Sequence, residues 1–322
     1  RFLQGMEQVN MVVERIENRK VPYRLLYLAD EDDEQIKKYR DTAIFWAARE
    51  EKEILGIIGL QVLDQESSEI VNIAVDEAHQ NKRIGTDLIE KAVSWSKEQS
   101  YKDIIIKTGN CGIKQLYLYQ RCGFRFDAIN KDYFSQHYRL PIYENGIKCT
   151  DQIVLRYRIY SQEERDSIID AYWNRFLATR KEYAGKSYEV WNFCYGEYLP
   201  NKLLGLVKCG KKTATSSALE MYGLDGEDEK PPEVGDLSIV TYGNGLPGCI
   251  IETKEIRIKQ FKEISEEEAR LEGEGDLSLD YWRQAHEWFF RLEYREAGKP
   301  FSEEIPVIFE RFEVIYDEER KG

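Results

Sequence analysis

Residues 71–92 read VNIAVDEAHQNKRIGTDLIEKA. Val71, Ile73 and Val75 alternate as in a strand, residues 80–83 make a basic loop, and from Ile84 the apolar residues Leu88, Ile89, Ala92, Val93 and Trp95 fall on or near one helix face. A strand that turns at once into a helix offers the backbone amides of the helix's first turn, with the positive end of the helix dipole behind them. Such a place binds phosphate or pyrophosphate without any special side chain.

Around this unit the same alternation of elements continues. Upstream, TAIFWAARE (42–50) and ILGIIGLQVLD (54–64) are strand-like and joined by the short charged link EKE, which predicts a hairpin. Downstream come a strand, DIIIKT (103–108), a short helix, IKQLYLYQRCGF (113–124), stopped by Gly123, and a closing strand, QIVLRYRI (152–159). Interleaved strands and helices predict an α/β domain with a mixed central sheet. SQEERDSIIDAYWNRFLATRKEY (161–183) is then a long helix opened by Ser161 and Glu164 at capping-box spacing, and it is expected to link two domains. The second half is β-rich at DLSIVTYG, GCIIETKEIRIKQF and PVIFERFEVIY, with helical inserts. The expected organisation is a first domain over 1–158, a helical linker over 159–186 and a second domain over 187–322.

The chain has 322 residues, enough for two domains with separate cores, and a formal net charge of −13. About −1 of that lies in residues 1–160 and about −12 in residues 161–322, which argues against a broad polyanion-binding surface on the second half and leaves local basic clefts open. Six cysteines form no C-x-x-C pair and three histidines are scattered, so neither a metal site nor a disulfide framework is expected. A reducing, cytoplasmic home is the expectation. No apolar run approaches the ~20 residues of a membrane span. The N-terminal stretch carries charge throughout and does not read as a secretory signal. The chain opens on Arg1, so an upstream piece is expected to be missing.

On the loop and the strand order, residues 1–158 resemble the GNAT acetyltransferase family, whose loop pattern is [QR]-x-x-G-x-[GA]. Gln80, Asn81, Lys82, Arg83, Ile84 and Gly85 fall on that pattern and Thr86 follows. The resemblance implies that their amides hold the pyrophosphate of acetyl-CoA, with Ile73, Ala74 and Val75 of the preceding strand also at the coenzyme, and no metal. Arg83 stands where the family usually has glycine; a residue there is strained if φ is positive, yet a guanidinium can add a phosphate contact. TGNCGIKQLYLYQRCGF (108–124) is similar to the family's closing signature. It implies that Asn110 meets the pantetheine and that Tyr119 stands near the sulfur, where a phenol can protonate the leaving thiolate. Tyr117, two residues away on a helix, cannot share that face. The general base stays open between a carboxylate such as Glu69 and a strand-bound water. The acceptor pocket is expected to draw on Asp132, Tyr133, His137 and Glu144, with His137 as a partly buried packing residue.

GLVKCGKKTAT (205–215) passes for a Walker A loop until Lys212 occupies the place of the magnesium-binding hydroxyl. The leucine spacing before it puts Gly205 inside a helix that Gly210 stops, which argues against a phosphate loop. A lysine, a hydroxyl and a carboxylate brought together can hydrolyse an amide: the lysine takes the hydroxyl proton if burial lowers its pKa, the hydroxyl attacks, and the carboxylate serves the leaving amine. On WNF, GKKTAT, VGDLSIV, CIIET and EGEGD-x-S-x-x-YW-x-x-x-H, residues 187–316 resemble the ASCH domain family. That resemblance implies an α+β, β-barrel-like (PUA-like) fold related to RNA-binding domains. Some small members are amidohydrolases that deacetylate N(4)-acetylcytidine, and their catalytic residues carry over to Lys212, Thr215 and Glu272, with Glu274 as the other candidate for the last. Trp191 and Phe193 are plausible stacking surfaces for a base, or core residues. The chain is longer and more acidic than those members, so a narrower or different pocket is expected.

The expected function is an acetyl-CoA-dependent N-acyltransferase, acting on a small amine or nucleoside, joined to an ASCH domain that binds and deacylates a modified nucleoside or RNA. The alternative is a non-catalytic RNA- or nucleotide-binding ASCH module beside an acetyltransferase that modifies a bound partner.

Overall fold

In the computed structural model β4 (Ser67–Val75) runs into α3 (Ile84–Glu98) through the loop at 80–83. The structure describes residues 11–224 and 230–320; residues 1–10, part of the charged N-terminal stretch, lie outside these. Backbone packing divides the chain into two units, one up to Ser161 and one from Gln162, with the short stretch Gly196–Tyr198 grouping with the first.

Among the described residues the first unit has a sheet of seven strands: β1 (Met11–Ile16), β2 (Ile44–Glu50), β3 (Glu53–Val62), β4, β5 (Asp103–Gly109), β9 (Gln152–Arg158) and β6 (Arg125–Asn130), in that spatial order. A two-stranded hairpin, β7 (Tyr143–Glu144) and β8 (Ile147–Lys148), precedes β9. Helices cover both faces, because the strands through the middle are apolar on both sides. On one face α3 and α4 (Ile113–Arg121) bury Leu88, Ile89, Ala92 and Tyr119 with Ile58, Leu60 and Leu155. On the other, α1 (Tyr23–Ala29) and α2 (Asp33–Tyr39) bury Leu25, Leu26 and Ile36 with Phe45, Ala47 and Ile57. A fifth helix, α5 (Tyr133–His137), lies in the stretch before the hairpin.

The register at β4 decides what this sheet can hold. β4 pairs with β3 from Ser68 to Val75, but with β5 only over Ser67–Ile70 against Asp103–Ile106. Past Ile70 the two parallel strands part, and residues 107–109 of β5 pair with β9 alone. Among the described residues the β5-side edge of β4 at residues 71–75 therefore has no strand partner, and its backbone groups are available to an extended ligand.

The second unit opens with α6 (Gln162–Thr179), the helix expected as a linker. It buries Ile169, Tyr172, Trp173 and Phe176 against Leu237, Ile239 and Ile250, so it is part of this unit's core and not a tether. The sheet runs β10 (Glu189–Trp191), β12 (Leu237–Thr241), β13 (Pro247–Gln260), β14 (Pro306–Tyr316) and β11 (Ala214–Ala218). Bulges bend the long β13–β14 pair and give the sheet the curl of a half-barrel with edges at β10 and β11. α7 (Tyr198–Lys208) packs Leu203, Leu204 and Val207 on one face with Val240, Ile251 and Phe312. Each such side chain, fully buried, contributes about 1.5–3 kcal/mol. On the other face α8 (Glu266–Glu272) and α9 (Leu279–Glu296) cover Ala214, Ala218, Val307 and Phe309.

Candidate active sites of the two units

In the first unit the loop that enters α3 is left-handed at two non-glycine residues, Asn81 (φ 64°) and Arg83 (φ 68°). This is a position that L-residues occupy at a cost of ~1–2 kcal/mol, so the glycine usual at Arg83 has a conformational reason. The Arg83 guanidinium lies 3.5 Å from Asp87 and 3.9 Å from Glu90, and thus faces the acids of its own helix. Burial raises the Asp87 pKa to about 6, with Arg83 opposing.

Tyr119 is buried on α4, while Tyr117 is exposed, which settles which of the two tyrosines faces the core. Burial first, then Cys122 and Glu144, push the Tyr119 phenol above its ordinary value, so it holds its proton at neutral pH. Among the described residues its hydroxyl has no hydrogen-bond partner, which leaves it free to donate.

In the second unit Lys212 lies against two carboxylates, Glu272 Oε2 at 2.9 Å and Glu274 Oε1 at 2.8 Å. Ser216 Oγ and Trp282 Nε1 donate to Glu272 Oε1 at 2.6 and 2.7 Å, and His286 Nε2 lies 3.3 Å from Glu272 Oε2. The cluster exists because α8 ends at Gly273 (φ 70°), where an added Cβ would lie 2.1 Å from the Lys211 carbonyl oxygen. Only glycine lets the EGEGD turn close on the GKKT turn. The helix α7 before it contains Gly205 and is stopped by Gly210 (φ 73°).

Burial drives the Lys212 pKa down, but Glu272 and then Glu274 drive it up, and the net direction is up. Glu272 is held down by Lys212 and then His286 against its burial. Lys212 is therefore an ammonium ion, which corrects the expectation that burial frees it to act as a base: two acids in contact outweigh desolvation.

Comparison with known proteins agrees with these two architectures. The GNAT acetyltransferase family model matches residues 13–124 and the ASCH domain model residues 189–316. An uncharacterized N-acetyltransferase of Bacillus subtilis is 41% identical over 133 residues, 41% of this chain and 86% of that protein. The chain belongs to the GNAT acetyltransferase family and carries an ASCH domain. Among solved structures, a GNAT family acetyltransferase from Elizabethkingia anophelis with acetyl-CoA bound is 40% identical, covering 47% of this chain and 99% of that one at a TM-score of 0.45. The ASCH domain from Lactobacillus crispatus is 34% identical, covering 47% of this chain and 95% of its own at a TM-score of 0.44. By the family model and the Bacillus subtilis relative, the protein is an N-acetyltransferase.

Within the GNAT unit, residues 73–75 lie on the open edge of β4 and residues 80–86 at the start of α3. Asn110, expected at the pantetheine, directly follows the last residue of β5. Its Oδ1 accepts from the amides of Thr150 and Asp151 and its Nδ2 donates to the Lys148 carbonyl, so the side chain fastens the segment leading into β9. Glu69, a candidate base, is ion-paired with Lys107 at 2.8 Å. His137 is exposed, not partly buried, and stacks on Tyr133 at 4.2 Å; Asp132 takes a left-handed conformation, and Glu144 accepts from Gln115. Asp30, which no sequence motif marks, accepts from the Tyr138 hydroxyl, and burial raises its pKa to about 6. No spacing marks it, because its partner is 108 residues away.

Within the ASCH unit, Lys212 and Glu272 meet, but Thr215 does not join them. On β11 the residues Ala214, Ser216 and Ala218 face the α8–α9 side, and Thr215 faces the opposite side, opposite Glu310 of β14. Ser216, which touches Glu272, is the hydroxyl that the motif did not single out. Phe193 is buried, packs edge-on against Trp191 and lies 5.3 Å beneath the Lys212 ammonium. Among the described residues no helix is long and apolar enough to cross a membrane and no group of three or more His, Cys, Asp or Glu is placed to hold a metal ion.

Proposed function

We propose that the GNAT unit transfers the acetyl group of acetyl-CoA to an amine, and that the ASCH unit takes an N-acylated nucleoside of the N(4)-acetylcytidine kind and removes its acyl group. The parting of β4 from β5 supports the first half. It leaves backbone groups at residues 71–75 that would meet the pantetheine, on the strand that leads to the amides at 80–86 that would receive the pyrophosphate. Tyr119 would protonate the departing thiolate. For the second half, support comes from a buried cation, Lys212, held beside the buried ring of Phe193 and hydroxyl-bearing β11.

The experiment is a pair of assays. Release of free CoA thiol in the presence of an amine panel tests the GNAT unit, and Tyr119→Phe should lower kcat by roughly 10²–10⁴-fold with little change in KM for acetyl-CoA. A variant with unaltered kcat removes Tyr119 from the acid role. Conversion of N(4)-acetylcytidine to cytidine tests the ASCH unit. Here a second reading has a specific observation in its favour: Lys212 is charged and its cluster closed, as suits a module that binds without cleaving. Nucleoside binding with no conversion would establish that reading.

A further inference from the structure

We propose that Glu310 is the proton acceptor for Thr215 in the ASCH unit, with Thr253 as its positioning residue; this rests on the deacylation reading above. The strands β13, β14 and β11 are neighbours in that order, and each brings one polar side chain to the same face. Thr215 is in register with Glu310, and Thr253 Oγ1 donates to Glu310 Oε1 at 2.6 Å. Residues directly opposite on antiparallel strands have Cβ atoms about 4.5–5.5 Å apart, which puts the threonine hydroxyl within reach of the free Glu310 oxygen after a change of rotamer. One strand thus supplies the orienting hydroxyl, the next the base and the third the nucleophile.

The chemistry of Glu310 singles it out among the buried acids of this unit. Glu268 is ion-paired with Lys259 at 2.7 Å and caps its helix through Ser265; Glu272 is ion-paired with Lys212. Glu310 is 7% exposed and, among the described residues, meets no cation. The charges that bear on it, Asp236 and Glu189, are of its own sign. An uncompensated carboxylate in such a place costs stability, and among the described residues the Thr253 hydroxyl is the hydrogen-bond donor that meets it. Burial, followed by those like charges, raises its pKa against the Thr253 hydrogen bond, the direction that makes a carboxylate a better base. Lys212, already protonated, cannot do the same work.

As Thr215 Oγ1 bonds to the acyl carbon, its proton passes to the Glu310 carboxylate. When the C–N bond breaks, that proton goes to the departing nitrogen, leaving the free amine and an acyl-threonine ester. Water then adds to the ester carbon and gives a proton to Glu310, which returns it to Thr215 Oγ1 as the carboxylic acid departs.

The test uses the full chain with N(4)-acetylcytidine. Glu310→Gln, a neutral isostere, should keep the melting temperature at or above that of the wild type and KM within about threefold, while kcat falls roughly 10²–10⁴-fold. Thr253→Val should lower kcat by about tenfold with KM unchanged, and Thr253→Ser should restore it, which a merely structural role would not require. If Glu310→Gln turns over within threefold of the wild type, or changes KM alone, the base assignment is overturned while the deacylation reading stands. Absence of conversion by the wild-type chain overturns both.

Discussion

Arg83 is the residue at which the GNAT loop departs from its family pattern, and the side chain shows what the departure does. The left-handed backbone favours glycine, yet the guanidinium sits beside Asp87 and Glu90 at the first turns of the helix where the pyrophosphate is proposed to bind. Restoring glycine relieves strain of ~1–2 kcal/mol but leaves two acids uncompensated beside an anion. The electrostatic effect acts on the ligand, whereas the strain is carried by the free and the bound protein alike. Arg83→Gly is therefore expected to raise KM for acetyl-CoA by about tenfold, or ~1.4 kcal/mol, although it matches the family pattern better. Measuring KM for acetyl-CoA on the variant decides the point, and an equal or lower KM would show that Asp87 and Glu90 do not act on the ligand.

At the scale of elements, β11 shows how two adjacent hydroxyls serve different ends. Ser216 faces the α8–α9 side and donates to Glu272, whereas Thr215 faces the side of Glu310. Ser216→Ala removes a hydrogen bond to a buried charge and should cost about 1.5–3 kcal/mol of stability, read as a lower denaturation midpoint. Thr215→Val keeps the strand's shape and should leave the midpoint nearly unchanged while abolishing conversion of N(4)-acetylcytidine. The reverse pattern would return the nucleophile to Ser216. Strand–loop–helix order, the helix stop at Gly210 and the density of the ASCH motifs were legible in the sequence because they are local. The face on which Thr215 lies was not, since it is set by register with Glu310, 95 residues further on. Nor was the charge of Lys212, which depends on Glu272 and Glu274 arriving from a distant turn, or the anchoring role of Asn110, which depends on the start of β9. The helix at 162–179 looked like a tether because its polar residues dominate its composition; its few buried aromatics, Tyr172, Trp173 and Phe176, place it in the core.

For the whole molecule, charge separates the ligands that the ASCH unit can accept. Of the net −13, about −12 lies in residues 161–322, and the polar row proposed to do chemistry carries a carboxylate with two more acids near it. A polynucleotide brings one phosphate per residue against that field and gains affinity only where cations replace its counterions. A free nucleoside carries no phosphate and avoids the repulsion. N(4)-acetylcytidine is thus expected to bind with an affinity that changes less than twofold between 50 and 200 mM salt, and to be converted in preference to the same base inside an RNA oligonucleotide. A phosphate-contacting RNA binder would instead lose roughly 10³–10⁵ in affinity over that range with 6–10 contacts. Titrating both ligands across the salt series distinguishes the two: steep salt dependence with tighter oligonucleotide binding would mark an RNA-binding surface and overturn the preference for nucleosides.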